Sequence, residues 1–403
     1  MTSAWEVRTL AEACEIKPAK SEVRQRLTDS DLVSFVPMED LRIDQKFVSA
    51  NQTRELSDVV GSYTYFADGD VLLAKITPCF ENGKLGIARN LENGVGFGSS
   101  EYIVFRPESR LEPQWLYYYL SRDSFRAEGE ARMGGAVGHK RVAKEFIENY
   151  PIPIPAPHEQ RRIVAILDEA FAGITTAKAN TEKTLRHAQD LVSGLTEGLF
   201  PQDGHSPGKH SLAELCESIV DCEHKTAPTQ EEGIPSIRTP NIGRGVLLLD
   251  GVNRVSEATY KEWTRRAEPK PGDLILAREA PAGNVAVIPK GMRVCLGQRT
   301  VLLRPRRSVF ESAYLAHLLL QRNSQKRLLA HSRGATVQHV NVKDIRDFKV
   351  ASVPSLTEQK AVMEQVQQLA DQENRLTELY TRKLAALDEL KQSLLQRAFS
   401  GQL

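Results

Sequence analysis

Two long stretches of this chain place apolar or small residues in alternating steps of four and three. The first runs Ile163, Leu167, Ala170, Ile174, Ala177, Thr181, Thr184, Ala188, Leu191 and Leu195. The equivalent positions of the second, with Glu373 and Lys383 polar, are Val362, Val366, Leu369, Glu373, Leu376, Tyr380, Lys383, Leu387, Leu390 and Leu394. That alternation over several heptads predicts a coiled-coil seam. Pro151, Pro153, Pro155 and Pro157 form an extended approach to the first stretch, and proline is then absent until Pro201. Ala and Thr dominate the first seam while Leu and Tyr mark the second, the match of small to large that lets two different helices pack closely. Ahead of each stretch the pattern changes. Val71–Ala74, Tyr102–Phe105, Leu274–Ala277 and Thr300–Leu303 are short apolar runs bounded by Gly, Asp or Pro, which are strand signals. Trp115–Ser121 and Ala313–Gln321 read as short helices after Arg-Pro stops, and Gly and Asn cluster in the connections.

The two halves are copies. Leu10-Ala11-Glu12-Ala13-Cys14-Glu15 recurs as Leu212-Ala213-Glu214-Leu215-Cys216-Glu217, and Gly69-Asp70-Val71-Leu72-Leu73-Ala74-Lys75 as Gly272-Asp273-Leu274-Ile275-Leu276-Ala277-Arg278. Phe105-Arg106-Pro107 answers to Leu303-Arg304-Pro305 and Gly135-Ala136 to Gly334-Ala335. From there a constant offset carries Lys144 onto Lys343, Pro155 onto Pro354, Glu159-Gln160 onto Glu358-Gln359 and Phe200 onto Phe399. A period of roughly 200 residues is far too long for a solenoid. The reading is an α+β chain with two mixed globular domains, 1–155 and 201–355, and two long helices, 156–200 and 356–403. Domain termini tend to lie close together, so the helices are expected to run antiparallel as a coiled coil, with a pseudo-twofold internal repeat. At 1.5 Å per residue each helix spans about 60 Å, a little under two turns of B-DNA at about 34 Å per turn.

Composition adds limits. With 41% hydrophobic and 26% charged residues the chain has the make-up of an ordinary soluble globular protein. No apolar run is long enough to span a bilayer, and Met1–Leu10 lacks the features of a secretion signal. Cys14, Cys79, Cys216, Cys222 and Cys295 show no CxxC spacing and imply free thiols in a reducing cytoplasm. Cys222 with His224 has no second pair to complete a metal site. The net charge is only +1, but its distribution is uneven. Between Ala280 and Lys343 the only acidic residue is Glu311, against a long series of Arg and Lys. A smaller acid-free window holds Arg132, Lys140, Arg141 and Lys144. Basic windows at matching places in two repeats point to a polyanionic partner.

Catalytic signatures are missing: no phosphate loop, no dinucleotide fingerprint, no His-Glu-x-x-His, and no Asn-Pro-Pro-Tyr type of motif. The polar loops are therefore the informative residues. Lys75 through Lys84 mixes base-reading side chains with an aromatic, whereas the second copy, Arg278 to Asn284, differs at most positions. Lys, Arg, Asn and Gln can make bidentate contacts with purine edges, and Gly-rich loops ahead of Lys144 and Lys343 offer phosphate contacts. The candidate nucleic-acid contacts are Lys75, Thr77, Phe80, Asn82, Lys84, Ser99, Ser100, His139, Lys140, Arg141 and Lys144 in the first copy. In the second they are His224, Lys225, Arg238, Asn241, Arg278, Glu279, Gln298, Arg299, Gln338, His339 and Lys343. Candidate coiled-coil and partner contacts are Ile163, Leu167, Ile174, Leu191, Leu195, Val362, Leu369, Leu376, Leu387 and Leu394.

Over its whole length the chain resembles the specificity (S) subunit of Type I restriction-modification enzymes. The first copy carries the resemblance in Gly69–Leu72, Lys75–Lys84 and Gly96–Glu101. The second carries it in Asp221–Pro228, Arg278–Pro281 and Gly297–Arg299, and both copies in Glu159-Gln160 and Glu358-Gln359 opening the long helices. The second proline approach, Val350–Leu356, departs from the pattern with a single proline. The resemblance implies a non-catalytic cytoplasmic DNA-binding subunit of a bacterial or archaeal phage-defence complex. Each globular part would be a target recognition domain reading one half of a split sequence in double-stranded DNA, and the helices would set the spacer. Two methyltransferase (M) and two restriction (R) subunits would dock on it. S-adenosylmethionine, ATP and Mg would belong to those partners, which methylate adenine-N6 and cleave unmodified DNA. Two other classes stay open on the residues alone: a protein-binding structural adaptor, and a stand-alone nuclease or methylase.

Overall fold

The computed structural model describes residues 5–136, 138–201, 208–330, 339–350 and 352–403. Two compact units emerge, Met1–Glu182 with Thr381–Leu403, and Lys183–Tyr380. Their boundaries cut through both long helices, Pro157–Gly198 and Leu356–Phe399, so each unit takes one end of each helix. At 42 and 44 residues these helices correspond to about 63 and 66 Å of rise. No helix among the described residues is long and apolar enough to cross a membrane.

In the first unit Glu6–Thr9 pairs antiparallel with Pro151–Ile154, which brings the chain's start beside the proline approach. A capping box follows: Thr9 accepts from the Glu12 N–H, and the Glu12 carboxylate accepts from the Thr9 N–H, opening the turn Leu10–Ala13. The main sheet is antiparallel, in the order Cys14–Ile16, Tyr102–Pro107, Val71–Ala74, Leu85–Ile87. Val71–Ala74 is buried on both faces, which is why it reads as an unbroken apolar run. Helices Pro113–Leu120 and Asp123–Glu130 cover one side. A second sheet, Gln52–Glu55, Leu32–Val36, Val95–Gly98, Thr64–Ala67, contains one parallel pair in its centre.

The second unit repeats the plan. Its main sheet runs Cys216–Asp221, Thr300–Pro305, Leu274–Ala277, Val285–Val287, covered by Ser312–Leu320 and Arg322–Leu329. The second sheet is reduced to Arg254–Val255, Ile234–Ile237 and Cys295–Leu296, again with a parallel pair. Ser211 and Glu214 rebuild the capping box. Buried Asp70 takes two N–H donors from Arg106 (2.9 Å each), and buried Asp273 is held the same way by Arg304.

Hydrogen bonds refine the register of the repeat. Val142 N–H donates to the Lys75 carbonyl as Val340 does to Arg278, and Leu10 N–H to Tyr150 as Leu212 to Phe348. By these pairs Lys144 is the counterpart of Val342, not of Lys343. The expected constant offset holds only from the proline approach onward, where Pro155 and Pro354 accept equivalent bonds from Gln160 and Gln359. One extra residue therefore enters between Lys349 and Pro354, and the stretch with fewer prolines absorbs it. The second member of the Gly135-Ala136 and Gly334-Ala335 match lies outside the described residues.

Within the first unit the start of one long helix packs antiparallel on the end of the other. The Arg162 guanidinium donates to the Leu403 carbonyl at 2.7 Å, and Lys178 pairs with Asp388 at 2.8 Å. Ile163, Leu167, Ile174 and Thr181 are buried as the seam predicts. Across from them Leu395 and Ala398 carry the last turns into the core, with Leu394 only half-buried. Within the second unit Phe200 and Val366 share one core, and Val192 faces the same cleft as Glu373. Val362, Leu369, Leu376 and Leu387 are half-buried. Five seam assignments fail: Leu191, Leu195 and Leu390 are 63%, 50% and 47% exposed and Thr184 and Lys383 are exposed, while on the first helix Leu185, Val192 and Thr196 are half-buried instead. A strict seven-residue repeat lags a straight α-helix by about 20° per heptad, so after Thr181 the inward step is four residues, not three.

Gln160 and Gln359 are both 0% exposed. The Gln160 amide donates to the carbonyls of Arg110 (2.8 Å) and Pro155 (2.7 Å), and its oxygen accepts from the Glu112 N–H at 2.9 Å. Gln359 repeats this with Val309, Pro354 and Glu311. Gln160→Ala is expected to lower stability by about 2–4 kcal/mol, since it removes a fully buried amide and the partners of three backbone groups; chemical denaturation of the full chain with a loss under about 1 kcal/mol would contradict it. Gln160→Glu should do more damage at neutral pH, because a carboxylate would face two carbonyls. Such a group has a raised pKa, so its excess destabilisation should shrink as pH falls through that pKa.

Candidate nucleic-acid interface

Three loops of the first unit are stitched together at the end of Val71–Ala74. The Lys75 N–H donates to the Glu101 carbonyl (2.9 Å), the Val142 N–H to Lys75 (2.9 Å), and the Thr77 N–H to Lys140 (3.0 Å). On this frame the Glu101 carboxylate accepts Nε (2.9 Å) and Nη2 (2.7 Å) of Arg141. Those N–H donors, with the charge of Lys75 adding to them, hold the Glu101 carboxyl below the usual carboxylate range. The Lys75 ammonium donates to the Ser100 carbonyl at 2.9 Å. Ser100, His139, Lys140, Arg141 and Lys144 are exposed along this rim, and Thr77 and Ser99 are half-buried; Asn82 is exposed but lines a separate cleft with Asp123 and Gln392.

Two proposed contacts of the first copy do not belong to the rim. Phe80 is completely buried and packs edge-on against Phe125, so its ring is core and not a stacking platform. The Lys84 ammonium donates to the Met38 carbonyl at 2.7 Å and is spent tying down a neighbouring loop.

The second unit builds the same frame with other side chains. The Arg278 N–H donates to the Arg299 carbonyl (2.9 Å) and the Val340 N–H to Arg278 (2.8 Å), so Arg278 stands where Lys75 stands. Its guanidinium is turned inward and only 9% of the residue is exposed. Nη1 lies 3.0 Å from both Asp221 oxygens, Nε donates to the Val340 carbonyl, and Nη2 lies 3.0 Å from His339 Nε2. From there the chain of charges continues outward. His339 Nδ1 is 3.3 Å from Glu279, Glu279 is 2.6 Å from Arg299, and His224 Nε2 is 3.2 Å from Asp221. Arg278 is thus an organising group and not a free reader. The tip of the network is Arg299, exposed and held in the left-handed region (φ 65°), with its N–H donating to Cys222 Sγ at 3.1 Å. A non-glycine residue in that conformation is uncommon and has to be over-determined by its surroundings.

Lys225, Arg238 and Lys343 are exposed. Asn241 is engaged with its own loop, accepting from the Arg238 N–H and donating to the Leu248 carbonyl. Gln298 donates to the His224 carbonyl, and Gln338 lies outside the described residues. Much of the basic window is also structural: Arg304 pairs with Asp273, Arg306 donates to the Glu214 carbonyl and Arg307 to that of Pro271. Burial pushes the thiols of Cys14, Cys216 and Cys295 up to about 12. Among the described residues no three His, Cys, Asp or Glu side chains are placed to hold a metal. The candidate set omitted Asp221 and Glu101. Both lie in the quoted motifs, and their pairing with Arg278 and Arg141 shows them to be organisers.

Two copies of one scaffold, each with a three-loop polar rim, define a duplicated recognition module. The model of the Type I restriction modification DNA specificity domain matches residues 2–186 and 209–385, so this chain belongs to that family. It is 42% identical over 198 residues to the EcoEI specificity subunit and 40% over 198 residues to the EcoAI specificity subunit, both of Escherichia coli. Each match covers 48% of this chain but only 32% and 33% of those relatives. A putative MjaX specificity subunit of Methanocaldococcus jannaschii is 20% identical over 99% of this chain and 93% of its own length. The fold matches the HsdS subunit of Thermoanaerobacter tengcongensis (TM-score 0.65, 20% identity, 100% and 98% coverage). It also matches a chain from a study of type I R-M complex assembly and conformational transition (TM-score 0.78, 20% identity, 100% and 99% coverage).

The inward arginine and the outward one should separate experimentally. Arg278→Ala leaves Asp221 without its main partner and is expected to cost about 2 kcal/mol or more in stability. Arg299→Ala should leave the denaturation midpoint within about 0.5 kcal/mol of the parent, as surface changes do. Equal losses for both would contradict their assignment as organiser and rim group.

Proposed function

We propose that this chain is the DNA specificity subunit of a Type I restriction-modification complex, non-catalytic itself, reading a bipartite target with a fixed spacer. The observation that carries the reading is a pair of backbone bonds, Lys75 to Glu101 and Val142 to Lys75, that recurs as Arg278 to Arg299 and Val340 to Arg278 while the side chains on it change. Lys75 answers to Arg278, Glu101 to Arg299 and Arg141 to His339. Identical half-sites would favour identical rims, and diverged rims suit two different sequences. The exposed groups fit groove chemistry: Arg and Lys suit guanine O6 and N7, Asn suits adenine, and carboxylates accept from cytosine N4. Lys140, Lys225 and Lys343 suit phosphates, which position the protein without carrying sequence. The long helices would set the distance between half-sites and dock two methyltransferase and two restriction subunits. S-adenosylmethionine, ATP and Mg would be bound by those partners, in the cytoplasm.

The chain co-purified with its methyltransferase subunits, presented with a randomised duplex pool, should enrich two short fixed sequences separated by a constant unread spacer. Enrichment of nothing, or of one continuous site, would sink the reading. Arg141→Ala should relax one half-site and leave the other intact, and adding a heptad to both long helices should lengthen the spacer.

A further inference from the structure

Beside the first rim, and sharing Lys75, Ser100 and Lys144 with it, lies a cavity of about 710 Å³. Its lining includes Lys17, Lys20, Lys75 and Lys144, with Tyr63 and Tyr65 in the wall. Glu148 is the only acidic residue in that lining, and it pairs with Lys144 at 3.1 Å. The lysines come from separate segments; Lys75 lies 3.9 Å from the Glu101 carboxylate, whereas Lys20 is held by backbone alone. The Lys20 ammonium donates to the carbonyls of Val60 (2.8 Å) and Gly61 (3.2 Å), and Lys75 to that of Ser100. Lys17 sits in the left-handed region (φ 62°), its N–H donating to the Val104 carbonyl at 2.8 Å. Among the described residues neither Lys17 nor Lys20 is ion-paired. Burial, and then the nearby charge of Lys17, push the Lys20 ammonium below its ordinary pKa, as crowded cations without a counter-charge require. Among the described residues the second copy does not rebuild this cluster. Ile16 faces Phe105 as Ile219 faces Leu303, so Val220 stands at Lys17. Val342 stands at Lys144, and Arg278 at Lys75 is already neutralised by Asp221.

We infer that this cavity is a phosphate clamp, in which Lys17, Lys20, Lys75 and Lys144 grip the sugar–phosphate backbone of bound DNA, a grip additional to the phosphate contacts proposed for Lys140, Lys225 and Lys343. The inference rests on the DNA reading proposed above. Each phosphate neutralised adds about 0.9 to the slope of log affinity against log salt.

The test uses the full chain with its methyltransferase subunits, on both the enriched duplex and a random duplex. Lys17→Ala with Lys144→Ala should lower the slope by between about 1 and 2 and weaken binding by the same factor on both duplexes. Lys17→Arg with Lys144→Arg should restore most of it. Lys20 is left in place because its carbonyl bonds hold the loop, and thermal unfolding checks that the variants fold. An unchanged slope overturns the clamp, and so does a loss confined to the enriched duplex, which would place these lysines on bases. If the parent binds random DNA with a steep slope but enriches no sequence, the specificity reading fails while the clamp is still decided by the variants. A parent that binds no DNA removes both.

Discussion

One buried amide in each copy sets how a long helix leaves its globular domain. Gln160 and Gln359, themselves fully buried, each hold three backbone groups. An amide removed from water is tolerated only when both donor and acceptor are satisfied, so the side chain and the three segments around it have a single workable arrangement. The proline approach, the loop before the covering helix and the first helical turn are thereby locked together. With that angle set, Ile163 and Leu167 face the first core and Val366 the second. A helix that left at another angle would lose those contacts and the pairing that each unit makes with the other helix's end.

The charges divide in the same way. Asp70 with Arg106 and Asp273 with Arg304 are buried, bidentate and present in both copies, so they belong to the scaffold. Desolvated pairs of this kind are costly to break once made. At the rims the backbone bonds persist while the side chains change, because only main-chain groups are needed to keep the loops in place. That separation lets one surface vary without disturbing the fold beneath it. It also explains how a net charge of +1 coexists with local basic surface: most arginines of the basic window are consumed internally.

Much of this was legible from residue order. The duplication, the four central strands, the covering helices and the two long helices all appear close to where periodicity and capping signals put them. The early seam, Ile163 to Thr181, was legible because its first steps, Ile163 and Leu167, are reinforced by a domain core. The later seam was not, since Leu191 and Leu195 satisfy a heptad pattern as well as Val192 does. Phe80 and Lys84 were misread for a related reason: loop membership says nothing about which way a side chain turns. The one-residue slip before Pro354 was hidden because Lys-x-x-Ile and Val-x-x-Ile both read as the start of the same short helix.

Residue order by itself determined the repeated architecture, because hydrophobic periodicity and capping act locally and survive divergence. It also determined the family, through short motifs retained in order in both copies. Only the tertiary structure decided which cations are free. Whether an arginine faces solvent or a carboxylate depends on partners far away in sequence, as Arg278 and Asp221 show at 3.0 Å. The lysine cavity is the same case in reverse: Lys17, Lys20, Lys75 and Lys144 share no motif, and only the folded sheet brings their charges to one place.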